Sequence, residues 1–399
     1  MCCLNSTKNI MVVFLPLMVL SACGGGSTNN DSTVLPVANA GVDQEVLENT
    51  IVQLDASASV NSNRTTSNIT YSWSLITPLT STMTAISDPL SMLPSFTPDV
   101  GGIYTARLTV TDGSETSLVD EVKVFVLTQL TNDPANDGHP YYNSDGTKIA
   151  FHSNRGNVGN FNVWVMDADG SNLTKITSNT ANNQRPSWSP DAQQIVFHSD
   201  RDGNQNLYTI NAAGSGVTIL TSNANNDTHP TWNPVTGSML IAYQSPRTNS
   251  QAITDLDIRL KTVAQSGSTP ILQPSTNDSH PMWSSDGTKI SFGRRVANGP
   301  RDIWVMDSDG SNLTQLTNTP NFDEQHSDWS PDDKKITYRR VAVGATSDVW
   351  IMNSDGSNKK QLTLSSADDR NPEWHPDGTK IIFRSNRTGN NELFLYPLK

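Results

Sequence analysis

The chain has 399 residues, with 39 Asp and Glu against 27 Lys and Arg and a formal net charge of −12; its mean hydropathy is −0.44. This acidity, with no run of Lys or Arg longer than two, excludes the basic footprint that nucleic acid needs, and the hydropathy excludes a multi-span membrane protein. The length predicts two or three domains, and 25 Gly, 22 Pro and many Asx-rich turns predict an all-β chain of short strands.

Residues 10–20 form an apolar run after a single charge, Lys8. The run is too short for a bilayer span, which takes about 20 residues, and its flanks are those of a secretory signal. Leu20-Ser21-Ala22-Cys23-Gly24 follows directly. This segment resembles the lipobox of bacterial lipoproteins. The resemblance implies cleavage before Cys23, a lipid on its thiol and, with Gly24 rather than Asp behind it, an outer-membrane protein facing the periplasm or the exterior. Cys2 and Cys3 lie in the part removed, so the mature chain would keep one thiol and no intramolecular disulfide. The membrane is then met through the lipid anchor only. Residues 1–22 read as the signal peptide and 23–33 as a Gly-rich flexible tether.

Residues 34–126 turn to strand texture. Tyr71, Trp73 and Leu75 share one face at period two, as do Leu108 and Val110, and about 90 residues of this pattern suit an immunoglobulin-like sandwich. The motifs Ala38-Asn39-Ala40-Gly41, Leu54-Asp55-Ala56-Ser57, Tyr71-Ser72-Trp73, Phe96-Thr97-Pro98 and Val110-Thr111-Asp112-Gly113 resemble, in order, the PKD family. That resemblance implies a spacer or adhesive module without chemistry, Trp73 in its core and Tyr104 as a tyrosine corner.

From residue 127 the chain repeats itself. Six segments align at His139-Pro140-Tyr141, Arg185-Pro186-Ser187-Trp188, His229-Pro230-Thr231-Trp232, His280-Pro281-Met282-Trp283, His326-Ser327-Asp328-Trp329 and Asn371-Pro372-Glu373-Trp374, spaced by 46, 44, 51, 46 and 45 residues. Each is followed by an apolar strand, such as Ile149-Ala150-Phe151, and then by another, such as Val163-Trp164-Val165-Met166. Four strands in some 45 residues make a propeller blade, which is too small to bury its own faces and must stack in a ring. The last repeat lacks its final Leu-Thr-x-Leu-Thr strand, and that strand stands at residues 127–131, before the first repeat. The expectation is an all-β protein: a small sandwich, then over 127–399 a six-bladed β-propeller latched by an N-terminal strand. The repeats resemble the TolB-type β-propeller family (PD40, WD40-like repeats), with departures at Asn143, Pro234-Val235-Thr236-Gly237 and Ser327. The family's periplasmic members imply a scaffold for protein contacts; relatives include lyases acting on uronate sugars.

Equivalent residues of the repeats would form rings at one end of the channel. One ring holds His139, Arg185, His229, His280 and His326; another holds Asp137, Asp227, Asp278, Glu324 and Asp369. These are the candidate rim and ligand-binding residues, beside Cys23 for the lipid. A structural reading competes with the functional one, since Asp and Asn cap turns and His packs beside Pro. No four-ligand zinc spacing occurs, and equivalent positions in a six-bladed ring read as too far apart for one ion, so that a metal would need neighbouring loops or water. No cofactor is assigned; a divalent cation is left open. Asp167-Ala168-Asp169-Gly170 and Asp307-Ser308-Asp309-Gly310 lack the Glu of a calcium loop and read as hairpin turns. The recurring Trp188, Trp232, Trp283, Trp329 and Trp374 read as packing between blades.

With no catalytic motif in view, the sequence leans toward a non-enzymatic, lipid-anchored envelope scaffold whose propeller face contacts an envelope protein or glycan. The alternative is a polysaccharide-active enzyme resembling the propeller-type uronate (oligogalacturonate) lyases, with a His/Asp rim site.

Overall fold

The computed structural model describes residues 34–83, 85–156, 159–248, 254–264, 267–271, 276–297, 299–342 and 344–398. The signal peptide, Cys23 and the tether expected over 1–33 lie outside them. All regular structure in the described residues is β, and none of it is a helix long and apolar enough to cross a membrane.

Strand alternation builds the N-terminal part. Thr70–Ile76, Gly102–Thr111 and Asp120–Gln129 run antiparallel, and Gln44–Leu47 adds to the last of them in parallel. Trp73, Leu108, Val110, Val122 and Val124 are buried in one core. Tyr104 is fully buried and its hydroxyl donates to Asp99 Oδ1 at 3.0 Å and to the Val100 carbonyl at 3.2 Å, a tyrosine-corner arrangement.

Five repeats form four-stranded antiparallel blades of their own. Their innermost strands are Asp137–Tyr142, Asn183–Trp188, Thr228–Trp232, Asn277–Trp283 and Phe322–Trp329. The recurring tryptophans are buried between blades, and the indole N–H of Trp188 donates to Tyr141 O of the blade before it at 3.1 Å. The Asp-Gly turns are closed on themselves: Asp169 Oδ1 accepts from the Ser171 amide and hydroxyl at 2.9 and 2.6 Å.

The expectation of six equal blades beside a separate sandwich is corrected. The described residues hold five self-contained blades, and the sixth repeat has no sheet of its own. Its strands Arg370–Trp374, Lys380–Ser385 and Glu392–Pro397 continue through Asp120–Gln129 into the sandwich strands, a single seven-stranded sheet. The physical reason is the ten-residue length of Asp120–Gln129. Its first part pairs with Gly102–Leu108, and its end pairs Thr128 with Leu395 and Gln129 with Phe394. Leu130 N then donates to Leu393 O at 2.8 Å. This N-terminal strand is the latch, and it leaves no free edge between sandwich and propeller.

Candidate functional site in the channel

The innermost strands share a local irregularity. In each, the ladder to the next strand shifts register, between Gly138 and Tyr141, Gln184 and Ser187, Thr228 and Thr231, Ser279 and Met282, Gln325 and Asp328, and Arg370 and Glu373. The residue at the shift is left-handed: φ is 47° at His139, 56° at Arg185, 53° at His229, 57° at His280, 52° at His326 and 53° at Asn371. Proline follows five of these six and has no N–H to lose from the ladder, which favours a bulge. Left-handed backbone costs a side-chain-bearing residue roughly 1–2 kcal/mol relative to the right-handed form. Here it turns six side chains toward the axis, where they line one cavity of about 70 Å³.

The histidines converge. Ring centroids are 4.1 Å apart for His229 and His280, 4.0 Å for His280 and His326, and 5.5 Å for His139 and His326. Ligand-capable atoms of His229, His280 and His326 all lie within 4.8 Å of one another. His229 Nδ1 is 2.9 Å from the Thr228 hydroxyl, which leaves its Nε2 free; His280 Nδ1 and both ring nitrogens of His326 also lack a hydrogen-bond partner. Burial pushes all three imidazoles well below the usual histidine range, and the neighbouring Arg185 guanidinium pushes them the same way. They are neutral at pH 7, the form that binds a metal. Three imidazoles with an open fourth position suit zinc or a similar divalent ion.

This geometry overturns two expectations. The ring residues are close enough for one ion, because the bulges bring their side chains to the axis. The lean away from an enzyme also fails: a neutral three-histidine cluster in a recessed cavity is a set of groups able to support catalysis.

Of the expected rim residues, His139, Arg185, His229, His280 and His326 line the cavity together. The acidic ring does not. Asp137, Asp227, Asp278, Glu324 and Asp369 are buried two residues earlier, at the outer end of each inner strand. Four of them face an arginine of their own repeat, at or just past the end of its second strand. Arg294 Nε is 2.7 Å from Asp278, Arg340 Nε 3.4 Å from Glu324 and Arg387 Nη2 3.0 Å from Asp369, while Arg155 pairs with Asp137. Asp227 Oδ2 instead accepts from Asn223 at 2.8 Å. Four of the five acids thus pair with arginines inside the repeats, and none of the five lines the cavity.

Sequence reasoning missed His152 and His198. They sit on the second strands, opposite Gly138 and Gln184, with rings 5.1 Å from His139 and 6.3 Å from His229. Burial pushes His198 down to about 3. Phe-His-Ser, which stands two residues before Arg155 and again before Arg201, was the available signal. Glu373 was missed too. It lines the same cavity two residues past Asn371, with Oε1 accepting from Tyr142 N at 2.8 Å and Oε2 unpartnered. Burial, with Asp328 nearby, holds its carboxyl well above the usual range.

The TolB beta propeller domain family (PD40) matches residues 157–320, and a PKD domain family matches residues 40–126. The chain is thus similar to a TolB propeller domain over part of its repeats and to a PKD domain over its N-terminal part. No curated protein matches. Among solved structures, a putative TolB from Agrobacterium tumefaciens aligns with a TM-score of 0.54 at 17% identity, over 68% of this chain and 93% of that one. A gluconolactonase from Xanthomonas campestris gives 0.50 at 13%, over 68% and 89%. An oligogalacturonate lyase from Vibrio parahaemolyticus gives 0.49 at 12%, over 68% and 93%. At such identities the first two likenesses speak for the propeller fold and not for its chemistry.

Proposed function

We propose that this is a cell-envelope protein, lipid-anchored through Cys23, whose propeller channel holds a divalent cation on His229, His280 and His326 and acts on an acidic, uronate-type glycan. The observation that carries the reading is the approach of three neutral imidazoles within 4.8 Å, with unpartnered nitrogens. A cation there would draw charge from a sugar carboxylate and make the adjacent carbon acid stronger. Elimination then needs a base to take that proton while a carbon–carbon double bond forms, the bond to the glycosidic oxygen breaks and water protonates the departing oxygen. His139 lines the same cavity and lies outside the trio, with its ring 5.5 Å from that of His326, so it is the base this reading selects. The lipobox resemblance supports the envelope location, with the outer membrane as its destination.

Calorimetric titration of the intact mature chain with zinc and manganese tests the cation. An absorbance assay for unsaturated uronate ends, run on polygalacturonate and alginate with and without chelator, tests the reaction. Absence of metal binding would remove the reading.

A further inference from the structure

The six left-handed positions divide by chemistry. His229, His280 and His326 are consecutive around the ring, and across the channel from them stand Asn371, His139 and Arg185. Arg185 and Asn371 in that second half carry unsatisfied donors. Arg185 forms no ion pair among the described residues, and its Nη1 has no hydrogen-bond partner. Asn371 Nδ2 is buried and unpartnered as well. Arg384 reaches the same region beside Gly138, with its Nε free and only a 3.6 Å contact to Asp368. The Glu373 carboxyl lies in the cavity too, but it forms no ion pair with Arg185 among the described residues, and burial disfavours its charged form. Burial and Arg384 bring Arg185 down to about 9, which leaves it charged at pH 7.

A guanidinium left unpaired in a recess is costly, and a bound anion would remove that cost. The cavity of about 70 Å³ has room for on the order of five waters, and His139 closes on His326 from across the axis. No polymer can thread past this level. We infer that the site takes its ligand end-on, as a small carboxylate or the carboxylate-bearing end of a chain, with the acidic group held by Arg185 and Asn371 opposite the three histidines. The inference rests on the proposed acidic ligand and narrows it to a terminal group. It also couples the halves: a carboxylate screens Arg185 from a cation, so each ligand strengthens the other.

The test is calorimetry on the intact mature chain with galacturonate, galactose and oligogalacturonides of two lengths, in zinc and separately in chelator. Galacturonate is expected to bind and galactose not. The stoichiometry is expected to stay at one protein per chain end at both lengths. Arg185→Gln should weaken galacturonate at least about tenfold, by loss of a charge-assisted pair, and leave zinc affinity within a few-fold. Asn371→Gly, which keeps the left-handed backbone, should weaken it in the same direction. Galacturonate binding that persists in chelator while zinc fails to bind would remove the cation and keep the anion half-site. Zinc binding with no galacturonate binding, R185Q and N371G both binding as the parent does, or several proteins bound along one long chain would each overturn the inference.

Discussion

Arg387 holds two carboxylates from opposite ends of the chain. Its Nη1 donates to Glu45 Oε1 at 2.6 Å, and its Nη2 lies 3.0 and 3.1 Å from the two oxygens of Asp369. The other oxygen of Glu45 accepts from Leu364 N at 3.0 Å. Burial raises the Glu45 carboxyl and Arg387 draws it back. The contacts on both oxygens are those of the ionised form. Glu45 belongs to the sandwich strand Gln44–Leu47, so this pair ties the sandwich to the sixth repeat just where the two share a sheet.

Glu45→Ala should therefore cost about 3 kcal/mol, the scale for removing one partner of a buried ion pair. It should also separate sandwich and propeller melting into two calorimetric transitions where the parent shows one. An unchanged single transition would show that the shared strand alone couples the parts.

Leu127 is fully buried beside Trp374, Phe394 and Tyr396, at the point where the strand passes from sandwich to propeller. Leu127→Ala should lower stability by about 3 kcal/mol through lost contact and a residual cavity. Urea denaturation followed by tryptophan fluorescence checks this; a loss below about 1 kcal/mol would argue against the latch.

Zinc at a hundredfold excess over its dissociation constant should stabilise the fold by about 2.7 kcal/mol and raise the melting temperature. His280→Asn should abolish that gain without unfolding the protein, because Asn tolerates the left-handed backbone that His280 adopts at φ 57°. A parent-like zinc response in H280N would exclude His280 as a ligand.

The bulge itself is open to test at His326, where φ is 52°. Both Gly and Ala remove the imidazole, but only Gly relieves the backbone. His326→Gly should exceed His326→Ala in stability by about 1 kcal/mol, against the usual order.

His198 is 2% exposed and held near 3, so the unfolded chain binds one more proton than the folded chain between about pH 6.5 and pH 3. Its contribution is intact above that window and is lost as pH falls through it. Between about pH 7 and pH 5, His198→Gln should lose roughly 2 kcal/mol less than the parent. Parallel denaturation curves for the two proteins at both pH values would contradict this. Metal binding should likewise survive mild acid, because burial keeps the trio neutral below the usual histidine range.

The repeat was legible because each blade solves the same packing problem with the same residues. Trp188, Trp232, Trp283, Trp329 and Trp374 mark it at near-constant spacing. The latch was legible for a related reason: a strand missing from the last repeat stood spare before the first. The role of the acidic ring was not. Asp278 and Arg294 are 16 residues apart, and only the register of their two strands turns a rim of acids into a set of closed ion pairs.

Alternation and periodicity, which are local, determined by themselves that this chain is all-β, that it carries a propeller with an N-terminal latch strand, and that five ring positions hold His or Arg. Tertiary structure alone decided the rest. Whether Asp120–Gln129 ends one domain or joins two depends on what lies along both of its edges. Whether six ring residues stand apart or meet depends on a backbone bulge of one residue per blade, and that angle turns His229, His280 and His326 from a spaced pattern into a cluster within 4.8 Å.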